Sequence, residues 1–303
     1  SEDMQFNDDE VRDVHNKVVN ILRNTKAFYE LYKDAAPTPN TSSKHVLDRW
    51  ILARLAEVQK STTDALEKFD TVRATRPWRD FIEDFSTWYV RRSRDRVKGG
   101  DSAAALGTMR YVLKEFSKLI APVMPFIADE IFITVRTDAD PISVHLAEWP
   151  QARGWFFTKR QTPNAKLLSD MAEVRRVCSL ALEARQKAGI KVRQPLQKLT
   201  IPEKLPPDFI NLIKDEVNVK EIAEGEFALD TTLTDELRKE GEARDVLRAV
   251  QDLRKVAGLS PHDAAVLVIA DADLGYEAHA DTLKKGANIV SIERGDTTHV
   301  RKA

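Results

Sequence analysis

The chain has 303 residues, 42% hydrophobic and 31% charged, with a formal net charge of −1. That length supports two domains, and the composition describes a helix-rich soluble protein without a disorder signature. Near-neutral charge leaves any affinity for polyanions to local patches, and no apolar run approaches the length of a membrane span.

The first ten residues are acidic and lack the basic and apolar regions of a secretion signal. Cys178 is the single cysteine, which forbids an intrachain disulfide and makes a cytoplasmic location the default. Residues 8–33 place Val11, Val14, Val18, Ile21, Leu22, Phe28 and Leu31 at helical spacing. Pro37 to Ser43 breaks that pattern. Asp48-Arg49-Trp50-Ile51-Leu52 opens a second helix reaching about Lys68. Asp70 is the expected N-cap of a third, and Pro77 should kink or restart it.

Residues 80–98 have three sides when read at 100° per residue. Ile82, Phe85, Ser86, Tyr89, Val90, Ser93 and Val97 form the expected core face. Phe81, Trp88, Arg92 and Arg96 share one flank, and Arg91, Arg94 and Lys98 lie opposite the core. Arginine presents a planar, permanent charge that suits phosphate and stacks on bases, so an aromatic flank beside arginines suits RNA. A solvated face, or cations complementing the helix dipole, is the plainer reading. Four arginines in six residues, with only Asp95 to offset them, favour RNA.

A fourth helix runs from about Ser102 to Leu119, and after Pro122 and Pro125 a short helix resumes over 126–135. Long amphipathic helices with short connections predict a bundle over 1–150, closed by an apolar strap at Trp149-Pro150. A linker at 151–164 and a basic α/β or α+β domain at 165–303 should follow. Between Arg153 and Lys198 there are eleven Lys or Arg against three Asp or Glu, a local net of +8. These include Lys159, Arg160, Arg176, Arg185, Lys187 and Arg193, mostly outside the helical stripe of Leu167, Leu168, Met171, Val174, Cys178, Ala181 and Leu182. A polyanionic partner and a surface balanced by acids from elsewhere both account for that bias. Cys178 on the stripe reads as a small core residue.

Arg185 to Ile190 is echoed by Arg254 to Leu259, with Gly189 and Gly258 as left-handed helix terminators. Each glycine precedes an apolar strand (199–201; 265–269), a short helix (207–214; 276–285) and a second strand (217–222; 288–292). One helix–strand–helix–strand unit used twice is the economical reading, and convergence of helix-cap chemistry is the alternative.

Catalytic signatures are missing. No two of the six histidines sit at metal-ligand spacing, and there is no CxxC pair, phosphate-binding glycine loop or nucleophile triad. Glu83 and Asp84 are adjacent, so on a helix they point apart. Such a chain is expected to bind rather than react.

Thr87 to Arg96, reading TWYVRRSRDR, resembles the WY-[IV]-RRSR segment of isoleucyl-tRNA synthetases. The DRWIL run at Asp48, GIKVRQPL at Gly189, LDTTLTDEL at Leu229 and QDLRKVAGL at Gln251 resemble further segments of that family in the same order. The resemblance implies the anticodon-binding bundle and C-terminal portion of such an enzyme, of the zinc-free long type, without its ATP-binding HIGH and KMSKS signatures. It implies isoleucine tRNA and the missing catalytic domain as partners, a monomer, and ATP and magnesium bound only by the parent enzyme. No catalytic or metal residue is expected here. The expected tRNA contacts are Trp88, Arg91, Arg92, Arg94, Arg96 and Lys98, with Arg176, Lys187, Arg193, Arg254 and Lys255 as further candidates, converging on one continuous basic track. The arginines of 91–96 could instead hold the bundle against the catalytic domain. A helical protein-interaction module that docks acidic protein surface is the alternative function.

Overall fold

The computed structural model describes residues 7–35, 38–150, 163–260 and 263–303. The chain divides into two compact units, Ser1–Met171 and Ala172–Ala303. Most of the linker expected at 151–164, with Arg153, Lys159 and Arg160, lies outside the described residues.

The first unit is helical. Its helices are α1 (Asp8–Val14), a π-helical turn (His15–Val19), α2 (Asn20–Tyr32), α3 (Val46–Leu66) and α4 (Thr71–Glu83). A second π-helical segment (Asp84–Val90), α5 (Arg91–Lys98), α6 (Ser102–Ile120) and α7 (Pro125–Val135) follow. The starts are local chemistry. Asp70 accepts the Arg73 amide at 2.9 Å as the N-cap of α4, and Pro125 occupies the first turn of α7, where a missing N–H does no harm. α4 continues through Pro77 instead of restarting there.

Trp50, Ile51, Leu55, Phe81, Ile82, Phe85, Tyr89, Leu106, Met109, Phe116, Ile131 and Phe132 make the core, with Phe81 and Phe116 rings 4.8 Å apart. Each such burial contributes about 1.5–3 kcal/mol. Phe81 corrects the expected flank: it is fully buried. The cause is the π-helical segment. Its i→i+5 bonds place an extra residue in the turn, so positions before and after it are out of phase by about one residue's 100°. The same offset turns Asp84 inward while Glu83 stays exposed. In α1 and α2 the apolar spacing overstated burial. Val11, Val14 and Leu31 are exposed, and only Leu22, Thr25 and Tyr29 are buried.

The second unit holds two three-stranded sheets with one plan. α8 (Pro163–Lys187) precedes β1 (Leu196–Ile201), α9 (Pro207–Val217), β2 (Val219–Glu224) and β3 (Ala228–Leu229). α10 (Asp235–Val256) precedes β4 (Ala265–Ile269), a 3-10 segment (Asp271–His279), α11 (Ala280–Ala287), β5 (Ile289–Arg294) and β6 (His299–Lys302). The strand orders are β2-β1-β3 and β5-β4-β6, in each case with a parallel and then an antiparallel neighbour of the central strand. The third strands β3 and β6 did not show in the sequence pattern.

The likeness extends to single bonds. Gly189 and Gly258 have φ of +66° and +69°, and Asn218 and Asn288 take left-handed conformations after α9 and α11. Those asparagines start β2 and β5 one or two residues later than sequence spacing suggested. Ile190 N bonds Arg185 O, and Leu259 N bonds Arg254 O, both at 3.0 Å. Arg185, counted among the outward cations, is instead buried and donates to the carbonyls of Val217, Asn218, Lys191 and Gln194. Arg254 does the equivalent with Ser260 and Asp263. Cys178 lies on the buried stripe of α8.

Candidate nucleic-acid interface

The direction of the helices decides which side chains meet. α3 and α4 are joined by a short turn, and α4 leads through the π-helical segment into α5 without leaving the helix. Tyr89 touches both the start of α3 and the start of α6: its hydroxyl is 2.8 Å from Asp48 Oδ1 and 2.9 Å from the Ala105 carbonyl. α3 and α6 therefore begin at one end of the bundle. The turns that follow them, 67–70 and 121–124, lie at the far end, roughly 30 Å away at 1.5 Å per helical residue.

The near end carries the arginine segment. Arg96 is bidentate on fully buried Asp48 at 2.9 and 2.8 Å, and also pairs with Asp101 at 2.6 Å. Its side chain is only 13% exposed. Burial alone would lower its pKa, but the bonds to Asp48 and Asp101 override that and raise it. Arg96 thus ties α5 to α3 from the inside. Arg91 is exposed with Nε on the Thr87 carbonyl at 2.7 Å, and Arg94 sits 5.9 Å above the Phe28 ring, a cation–π distance. Lys98 is exposed; Trp88 and Arg92 are half-buried.

The far end carries a group the sequence reading did not single out. Phe69 is 92% exposed and Phe126 is 90% exposed, with Val72 and Val123 beside them in sequence. Phe69 has φ +58°, a left-handed conformation that favours glycine and disfavours a bulky side chain. Val72, Arg76 and Arg79 follow at i, i+4 and i+7 on the exposed side of α4. Lys68, Arg76 and Arg79 have no acidic or hydrogen-bonding partner among the described residues, and Arg73 makes only an exposed 3.3 Å contact with Asp70. Aromatic faces held out beside unneutralised cations are what single-stranded nucleic acid requires. In the sequence Phe69 looked like any other apolar residue near a helix end.

In the second unit most expected cations have acidic neighbours. Arg176 bonds Glu173 and Glu203, Lys187 pairs with Glu183 at 2.7 Å, and Arg193 pairs with Asp245 at 2.7 Å. Arg254 is buried in its carbonyl cradle, whereas Lys255 is exposed. Glu173 and Glu183 are already counted in the +8 of the basic stretch; the pairing acids from outside it are Glu203 and Asp245, which offset only part of that bias. Among the described residues no three His, Cys, Asp or Glu gather as a metal site, and no helix is long and apolar enough to cross a membrane. A cleft of about 490 Å³ beside α6 includes Tyr111, Trp149, Lys114 and Lys118, but each lysine is tied to a carboxylate, Asp140 or Glu115.

The helical bundle falls within a known family. The model of the anticodon-binding domain of tRNA ligase matches residues 48–200, just over half of the 303 residues, and the chain belongs to that family. Its relatives include isoleucine–tRNA ligases. It is 32% identical over 301 residues to that of Streptomyces coelicolor, covering 93% of this chain and 28% of the relative. It is 35% identical over 236 residues to that of Chlamydia trachomatis, covering 73% and 22%. It is 38% identical over 205 residues to that of Nocardia farcinica, covering 66% and 19%. The chain thus spans about a fifth to a quarter of the length of these relatives.

Proposed function

We propose that this chain is the tRNA-binding, anticodon-side portion of an isoleucine–tRNA ligase. The parent enzyme would join isoleucine to its tRNA, with ATP and magnesium held on a catalytic domain outside this chain, in the cytoplasm. The observation that carries the reading is the far end of the bundle, within the family match. Phe69 is held in solvent next to Lys68, with Arg76 and Arg79 along the exposed side of α4, cations without partners among the described residues, and Phe126 is exposed at the same end. Unstacked anticodon bases would lie on the rings, and the cations would take flanking phosphates.

Arg91, Arg94 and Lys98 lie at the other end, roughly 30 Å away. That separation supports a different role for them, a stem phosphate or the surface of the catalytic domain. Arg96 is engaged inside the bundle, which supports a structural role. Titration with an isoleucine anticodon stem-loop and an unrelated stem-loop, at two salt concentrations, tests the reading. Selective binding that survives moderate salt supports it. Weak, unselective binding lost at moderate salt points to the helical interaction module instead.

A further inference from the structure

The second unit contains a polar groove that neither repeat forms alone. α10 opens the second repeat, yet its N-terminal half lies against the first. A Cβ on Gly241 would meet Gln194 Oε1 at 2.0 Å, so only glycine permits this approach without displacing that side chain. Arg244 Nη1 donates to Asn218 Oδ1 at 2.6 Å across the same seam. Between α10 and the left-handed turn at Asn218 lies an open groove of about 340 Å³, whose polar lining is Arg193, Asp215, Asn218, Arg244, Arg248 and Gln251.

Arg193, Arg244 and Arg248 line it with Asp215; each is already paired with a carboxylate of α10, Arg244 through Nη2 on Glu240 at 2.7 Å, and those pairs are partial. Arg193 uses Nε on Asp245 at 2.7 Å, and Arg248 uses Nε on Asp252 at 3.2 Å. The terminal nitrogens of both have no partner among the described residues. A guanidinium carries five donors, and exposed pairs of this kind are weak enough to open for a stronger acceptor. Phosphate suits that fork, because two of its oxygens accept in parallel from one arginine.

We propose that this seam seats phosphodiester groups of bound tRNA, so that the two repeats together make an RNA contact that one could not. The inference rests on the tRNA-binding reading above.

The test is an Arg193→Ala/Arg248→Ala double variant of the full chain, titrated with isoleucine tRNA over a salt series. Both side chains are half exposed or more, so the thermal midpoint should not move. Affinity should fall roughly tenfold, and the slope of log affinity against log salt should lose about one to two. Asp252→Asn, which releases Arg248, should tighten binding. Wild-type binding and slope in all variants overturn the inference while leaving the tRNA reading intact. Loss of affinity with an unchanged slope also overturns it, because no phosphate contact was removed. A wild-type chain without affinity for isoleucine tRNA removes the reading itself.

Discussion

Arg96 grips Asp48 with both terminal nitrogens, at 2.9 and 2.8 Å, across 48 positions of the chain. Asp48 is fully buried, and Ser43 Oγ at 2.5 Å and the Tyr89 hydroxyl at 2.8 Å complete its shell. Burial first, and then the Asp48 charge, push the Tyr89 pKa well above the ordinary tyrosine value, so that hydroxyl stays protonated as a donor. A carboxylate so enclosed tolerates its charge only while a cation opposes it. Arg96→Met should therefore destabilise the bundle by about 3–5 kcal/mol. Arg91→Ala, on the exposed side of the same helix, should stay within about 0.5 kcal/mol. Denaturant titration of the two variants measures the contrast.

Phe69 separates stability from binding. Phe69→Gly relieves a left-handed phenylalanine and should raise stability by about 1 kcal/mol, before glycine's added unfolded-state entropy is subtracted. The same change removes a ring for stacking and should weaken stem-loop binding by about 1–3 kcal/mol. Thermal melts and stem-loop titrations moving in opposite directions would bear this out. Parallel loss of both would make Phe69 a structural residue.

Gly189→Ala and Gly258→Ala isolate backbone conformation, because a Cβ at either site meets nothing within 4 Å. At φ near +66° and +69° each alanine should cost about 1–2 kcal/mol. Similar losses at the two sites, read by chemical denaturation, are expected of equivalent turns.

Gly107→Ala tests a different requirement. Its Cβ would lie 2.8 Å from Asn40 Cβ and 2.9 Å from the Thr38 carbonyl, so the segment before α3 must shift. That shift would lengthen the 2.9 Å bond from Asn40 N to Gly107 O and should destabilise by about 1–3 kcal/mol. Amide exchange at Asn40 should accelerate in the variant.

Asp140 gives the first unit an acid-sensitive contact. Burial works against its charge, but Lys114 and the amide and hydroxyl of Thr137 overcome that and hold its pKa at about 2, below 3.8. A carboxylate with a lowered folded-state pKa stabilises fully above its unfolded value and loses that contribution as pH falls through the folded value. The stability gap between wild type and Asp140→Asn should hold at neutral pH and shrink between about pH 4 and 2. Denaturant midpoints across that range check it.

Much of the architecture could be read from local signals. Asp70, Pro125, Gly189 and Gly258 mark helix ends by chemistry that acts within a few residues, and the doubled spacing exposed the repeat. Other features depend on what lies far along the chain. Phe81 fell on the wrong face because a π-helical segment alters the phase of the helix, and no residue type announces that change. Arg96, Arg185 and Arg254 counted as surface charge because a count does not distinguish a cation facing water from one ringed by carbonyls. β3 and β6, at two and four residues, are too short to show alternation. Arg76, Arg79 and Phe69 gained meaning only when all three were seen to be exposed near the corner of α3 and α4.

Two sheets of identical plan in one polypeptide invite strand exchange. β2 and β5 offer the same parallel edge, and during folding either central strand could capture the wrong sibling. Equivalent positions discriminate: exposed Lys198 stands opposite Glu221, whereas buried Val266 stands opposite Ser291. A swapped pairing would strand the Glu221 charge against valine and leave Lys198 facing a hydroxyl. Divergence at those few sites therefore acts as a key that admits each strand to its own slot.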